Sequence, residues 1–257
     1  MEPWSSLLSI RTLADSSTEW AFDGNIGIAL DASSPLRIVR DAALGRHAVA
    51  ARAVTAGELV FSDEPFAQTV HENFADIVCH CCYAPLPQTS RSRQIGCNAC
   101  RGVLYCSKEC AASFAATHAG ECALLRDVGV SSVGHNLRLY LRMAHRGKAD
   151  PSDLAEVERM HEHYDDCGKE RQRTLDAQAE AVNRFLPESA RLDRTRVARL
   201  IDRVHTNAFA VVGDPAGSAC GTALYARAGS LFNHSCSPSY APARLQLMRH
   251  TRQWGCD

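Results

Sequence analysis

Apolar and polar positions change rhythm along this chain. Up to about residue 70 the apolar residues come in short runs. Leu36-Arg37-Ile38-Val39-Arg40 mixes apolar and basic residues at strand length, Gly45 opens a turn, and Val49 to Val54 supply a second strand. Ala56-Gly57 then turn the chain into Glu58-Leu59-Val60-Phe61, which Pro65 ends. The pattern predicts a small twisted sheet. From about 135 to 205 the spacing becomes helical. Asp150 before Pro151 is a capping acid followed by proline at the first helical position, and Leu154, Val157, His161 and Tyr164 continue at helical intervals. Leu175, Ala179, Val182 and Leu186 form a second stripe, closed by Pro187, and Val197, Leu200, Ile201 and Val204 a third. Charges between the stripes, such as Lys169-Glu170-Arg171, read as a solvated face. After Phe209 the pattern breaks into glycine-rich loops and short apolar runs. Residues 79 to 122 carry no long periodic pattern, which suits a module that folds around metal.

Composition narrows the class. With 257 residues, 46% of them hydrophobic, the chain can bury a core in one or two domains. Twenty-eight basic against 29 acidic residues give no global field toward nucleic acid or anionic lipid, so neither is expected as a partner. No stretch approaches the ~18 apolar residues of a membrane span, and the opening Met1 to Asp15 holds only the short cluster Leu7-Leu8-Ser9-Ile10. These features predict a protein of the cytoplasm, the nucleus or both, without a membrane segment.

The cysteines carry the chemistry. Eight of the twelve fall between residues 79 and 122, a density that in a reducing compartment points to metal before disulfides. The spacing is Cys79-x2-Cys82, Cys97-x2-Cys100, Cys106-x3-Cys110 and His118-x3-Cys122. Two intervening residues let both sulfurs of a knuckle reach one tetrahedral ion at about 2.3 Å, and three place a pair on one face of a helical turn. Four pairs make eight ligands, enough for two closed zinc sites. If they interleave, Cys79, Cys82, Cys106 and Cys110 hold one ion, and Cys97, Cys100, His118 and Cys122 the other. Cys81 breaks the spacing and is read as a spare thiol. Arg91, Arg93, Arg101 and Lys108 against Glu109 and Glu121 leave the segment two positive charges in excess, too few to argue for DNA.

This spacing, with Tyr105 just before Cys106 and the closing His118-x3-Cys122, resembles the MYND zinc finger, a family whose members often dock short proline-containing peptides. The flanks carry a second resemblance. Residues 43 to 66, with the Gly45 loop and the Gly57-Glu58 turn, resemble the opening of a SET domain. Ser230-Leu231-Phe232-Asn233-His234-Ser235-Cys236-Ser237-Pro238 resembles its Asn-His-Ser-Cys signature, and His205-Thr206-Asn207-Ala208-Phe209 the Asn-x-Phe element before it. Three motifs in this order, split by a MYND finger and a helical insert, resemble the SET-and-MYND protein lysine methyltransferases over roughly residues 36 to 240. The resemblance implies methyl transfer from S-adenosylmethionine to lysine of a protein partner, histone among the candidates. It implies that Asn207, Asn233 and His234 contact the cofactor and that the Gly45 loop passes close to it.

The expected fold is α+β: a split SET-type β-sheet scaffold with an inserted MYND finger and a helical insert. The corresponding segments are a 1–35 extension, a 36–78 N-terminal SET part, the 79–122 finger, a 123–204 insert, 205–240 SET motifs and a 241–257 tail. Three departures from the family stand out. His47 takes the place of a second glycine, and Ser239 that of an asparagine. The 17 residues past Tyr240 hold no further tyrosine and, of the Cys-x-Cys-x2-Cys group expected to join Cys236 on a third zinc, only Cys256. Two readings therefore stay open: a methyltransferase, inactive if the last SET and post-SET segments are missing, and a non-catalytic MYND adaptor that docks partner proteins.

Overall fold

The computed structural model describes residues 34–87 apart from 43, 56–57, 59 and 62, then 95–186, 188, 191–212, 218–226 and 228–234, with strand segments 8–9, 246–248 and 251–253. The Ala56-Gly57 turn, Pro187, Ser235 to Pro238 and Cys256 lie outside the described residues, as does most of the extension and tail.

In chain order the strands and helices begin with β1 (Leu8–Ser9), β2 (Leu36–Asp41), β3 (Gly45–Ala50), β4 (Ala67–Val70), β5 (Ile95–Gly96) and β6 (Leu104–Tyr105). Among the described residues five α-helices follow: α1 (Lys108–Val128), α2 (His135–Ala149), α3 (Pro151–Glu158), α4 (Lys169–Phe185) and α5 (Arg194–Asn207). The chain then returns to β7 (Phe209–Val212), β8 (Ala219–Leu224), β9 (Asn233–His234), β10 (Gln246–Met248) and β11 (Thr251–Gln253). Helices and antiparallel strands occupy separate stretches, so the fold is α+β. Among the described residues no helix is long and apolar enough to cross a membrane.

Contacts divide the chain into two compact units. One is Met1–Glu64 with Arg227–Asp257; the other is Pro65–Ala226. In the first, β2 pairs with β3 from Leu36↔Ala50 to Asp41↔Gly45. Gly45 closes this hairpin at φ +65°, a conformation open to glycine at no steric cost. β1 pairs with β9, and β10 with β11. The hairpin brings pairing back to Gly45, so the second strand runs over 45–50 rather than the expected 49–54. Of the expected strand at Glu58–Phe61, the described residues Glu58, Val60 and Phe61 form none. The Glu58 carboxylate instead accepts the Thr55 N–H (3.0 Å) and the Arg52 guanidinium (2.6 Å), and Glu58 N–H donates to the Thr55 carbonyl (3.0 Å).

In the second unit β8 lies between β4 and β7, both antiparallel to it. Helix α2 packs across β4, and α4 packs along α5. Leu139, Leu141, Val157, Leu175, Val182 and Ile201 anchor one core that also takes in Phe66 and Leu224. The caps form as the sequence dictates. Asp150 Oδ1 accepts the N–H groups of Ser152 (3.0 Å) and Asp153 (3.4 Å) ahead of Pro151. Asp193 caps α5 through Arg196 N–H at 3.1 Å. Helix α3 ends at Glu158, so His161 and Tyr164 lie in the following loop rather than on a continued helix. Where no long period was expected, Ser107 caps the 21-residue helix α1 by accepting the Cys110 N–H at 3.2 Å.

Candidate metal centre

The centre is assembled from two backbone knuckles of the same shape. In each, the residue after the second cysteine takes a positive φ, Tyr83 at 59° and Arg101 at 55°. Each donates its N–H to the carbonyl of the first cysteine, Tyr83 to Cys79 (2.8 Å) and Arg101 to Cys97 (2.9 Å). Left-handed backbone at a non-glycine residue costs energy and persists only where its surroundings enforce it. Here it turns both sulfurs of a knuckle to one side. The β5–β6 hairpin then leads through Tyr105 to Cys106, and α1 presents Cys110, then His118 two turns on and Cys122 one turn further.

The side chains gather into two groups, Cys79 with Cys82, Cys106 and Cys110, and Cys97 with Cys100, His118 and Cys122; within each, all ligand atoms lie within 4.8 Å of one another. This is the interleaved arrangement. Cys82 and Cys106 sulfurs lie 3.5 Å apart, as do Cys106 and Cys110, and Cys97 and Cys122 are separated by 3.6 Å. Cys100 Sγ is 3.4 Å from His118 Nε2. A zinc tetrahedron with bonds of ~2.3 Å to sulfur has edges of about 3.8 Å, so both groups fit a zinc ion with little movement. Cys81 stays outside both. Its sulfur lies 3.4 Å from Ser113 Oγ, and burial pushes its thiol up to about 12.

The charge distribution suits a dication. A hydrogen bond from the Cys82 thiol, with the N–H groups of Cys82, Cys106 and Cys81, holds Cys79 down to about 5. Burial raises Cys97, but the N–H groups of Cys100 and Ala99 outweigh it and bring this thiol to about 6. Burial and a neighbouring thiolate push Cys106 and Cys122 up to about 12. Cys79 and Cys97, one in each group, are thus ready thiolates, and a bound dication would displace the protons of Cys106 and Cys122.

A carboxylate behind the second group went unrecognised in the sequence. Glu121, counted only toward the net charge of the segment, is buried and accepts from His118 Nδ1 at 3.1 Å. That bond fixes the tautomer, leaving Nε2 to face Cys100. Burial works against the imidazolium, yet Cys100 and Glu121 together raise His118 to about 9. Burial would raise the Glu121 carboxyl, but Arg142, His118 and Arg138 hold it well below the usual range. Arg138 donates to it from Nε (3.0 Å) and Nη2 (3.3 Å), and Arg142 from Nη2. The available signal was its place three residues after His118, which puts it on the ligand face of the same helix.

The residues implied to meet the cofactor are distributed differently. Gly45 begins β3 and Asn233-His234 form β9, in the first unit; Asn207 ends α5, in the second. The Asn207 amide donates to the carbonyls of His161 (2.9 Å) and Arg203 (2.8 Å). His47, in place of the second glycine, is buried with its ring 3.2 Å from the Gly45 carbonyl and 3.6 Å from Asp41 Oδ2.

Fold and site together define an α+β protein with a seven-cysteine, one-histidine module able to hold two metal ions, threaded through a helix-and-sheet body. No protein-family model matches the chain. The curated lysine methyltransferases it is similar to include N-lysine methyltransferase SMYD2-A of Danio rerio at 26% identity, SMYD2 of Mus musculus at 25% and SMYD2-B of Xenopus laevis at 24%. Each match spans 202 aligned residues, 76% of this chain and 45% of the relative. The chain thus spans about half the length of the proteins it matches.

Proposed function

We propose that this chain is of the SET-and-MYND type, a zinc-bearing, S-adenosylmethionine-dependent protein lysine N-methyltransferase. One observation carries the reading: the similarity to lysine methyltransferases extends over 202 residues, far beyond the 79–122 segment that holds the metal ligands. A shared finger alone would not produce it. The two zinc ions are structural. Four protein ligands fill each tetrahedron, so no open position remains to activate water. When bound, S-adenosylmethionine supplies an electrophilic methyl group. Gly45, with no side chain, lets backbone approach it, while Asn233 and His234 offer polar groups to its zwitterionic end. The rest of the task is positional: the substrate amine must be held unprotonated and in line with the methyl carbon. The protein partner is a lysine-bearing chain, histone among the candidates, met in the cytoplasm or nucleus.

Asn207 favours a second reading, a non-catalytic adaptor that docks proline-containing peptides on the finger. Both of its N–H donors are engaged by backbone carbonyls, so it offers a cofactor no free donor. Titration calorimetry with S-adenosylmethionine, alongside transfer of labelled methyl to a panel of protein substrates, separates the two. Binding lost on Asn233→Ala, together with labelling of lysine, supports the enzyme. Neither heat nor label supports the adaptor. Metal analysis is expected to give two zinc ions per chain.

A further inference from the structure

Resting on the zinc reading, we propose that Glu121 is a positioning residue that ties the second zinc site to the sheet. Loss of the ion held by Cys97, Cys100, His118 and Cys122 would then loosen α2 and β4 as well as the finger.

The connection is continuous. Glu121 Oε1 meets His118 Nδ1, Arg142 Nη2 and Arg138 Nη2, and Oε2 meets Arg138 Nε. The Nη1 of each arginine runs to strand β4: Arg138 Nη1 to the Val70 carbonyl (3.1 Å) and Arg142 Nη1 to the Gln68 carbonyl. Arg138 Nη2 also lies 3.2 Å from Nδ1 of His80, whose Nε2 lies 3.0 Å from the Ala75 carbonyl. Arg142 stacks on Phe114 of α1, 4.9 Å from the ring centroid. Glu121, Arg138 and Arg142 are all 1% exposed or less.

Charge balance makes the link more than mechanical. Two guanidiniums against one carboxylate leave one positive charge buried, and arginine cannot shed its proton. Three thiolates and one imidazole around Zn2+ leave one negative charge. The loaded second site and the Glu121–Arg138–Arg142 trio therefore sum to zero across the His118–Glu121 bond. Removing the ion frees His118, the ring that holds Glu121 toward both arginines, and the buried Glu121–Arg138–Arg142 trio, with α2 and β4, bears the cost.

The test is a double-mutant cycle in the full chain, read as zinc retained against a competing chelator. Glu121→Gln is expected to weaken one of the two ions roughly 10- to 100-fold and leave the other unchanged. In a His118→Cys background, which keeps four ligands but removes the imidazole, adding Glu121→Gln should leave affinity unchanged or raise it. Equal weakening of both ions, or the same loss in both backgrounds, overturns the proposal. A second measurement needs no variant: amide hydrogen exchange on wild type titrated with chelator. Exposure of β4 and α2 in step with α1, with α4 still protected, supports the link, and β4 and α2 that stay protected after the second ion has gone defeat it. A wild-type chain holding no zinc sinks the zinc reading itself, and that result is known before any variant is made.

Discussion

Asp202 shows how far a single buried carboxylate can tie down a loop. It sits on α5 with no exposure, Oδ2 accepting the His163 N–H at 2.6 Å and Oδ1 the Arg171 guanidinium at 2.6 Å. Burial alone would raise its pKa, but the bonds from Arg171 and the His163 N–H outweigh that and lower it. A carboxyl depressed in the folded state stabilises above its unfolded value of about 3.9 and loses that contribution as pH falls through the folded one. Asp202→Asn should therefore cost about 1–3 kcal/mol at pH 7, since the neutral amide offers one oxygen where the buried carboxylate gives two, and turns N–H groups toward one of its two donors. The gap between variant and wild type in urea midpoint should narrow below about pH 4; a gap constant across pH would show that the charge does not matter. Arg171 is half exposed, so its share is small. Metal ligands were legible at this scale because coordination fixes their spacing in sequence. Glu121, Arg138 and Arg142 were not, because a charge buried by its partners looks in sequence like a charge in water.

The same disguise explains why α1 was not anticipated. Its buried positions are Cys110, Phe114, His118, Glu121 and Leu125, spaced four, four, three and four, which is helical to the residue. Only two of the five, Phe114 and Leu125, are apolar side chains of the usual kind, so hydrophobic periodicity gave no signal. By contrast α4 and α5 bury Leu175, Ala179 and Val182, and Val197, Leu200, Ile201 and Val204, which are the stripes the sequence displays. Where α1 crosses α2, Gly120 permits the contact. A Cβ there would lie 2.5 Å from His145 Cβ and 2.9 Å from the Leu141 carbonyl oxygen, one of them backbone. Gly→Ala inside an exposed helix gains up to about 1 kcal/mol. Here the overlap should reverse the sign, giving a net loss of about 1–3 kcal/mol for Gly120→Ala by thermal or urea unfolding. A variant as stable as wild type would mean that the crossing has slack.

At the scale of the whole molecule the α+β class was legible, but the partition of the contacts was not. The compact units part between Glu64 and Pro65 and between Ala226 and Arg227. They part there because β4, which precedes the metal ligands, pairs residue for residue with β8, which follows the helices, from Ala67↔Leu224 to Val70↔Gly221. Long-range pairing of this kind leaves no local mark in sequence. It also joins the ends of the second unit, where Phe66 N–H donates to the Leu224 carbonyl at 2.7 Å. A continuous stretch whose ends are paired, with its own core and both metal groups, has what an autonomous domain requires. A fragment spanning residues 65–226 should therefore fold alone, retain two zinc ions by metal analysis, and unfold cooperatively with the α4–α5 core intact. It lacks Gly45, Asn233 and His234, so under the proposed function it should bind S-adenosylmethionine at least tenfold more weakly than the full chain, a difference of about 1.4 kcal/mol. A fragment that is soluble and zinc-loaded yet binds the cofactor as tightly as the full chain would move the binding site into the second unit and withdraw the roles given to those three residues. If it fails to fold with zinc supplied, the two units are not separable, and the paired ends of β4 and β8 depend on Met1–Glu64 or Arg227–Asp257 for their stability.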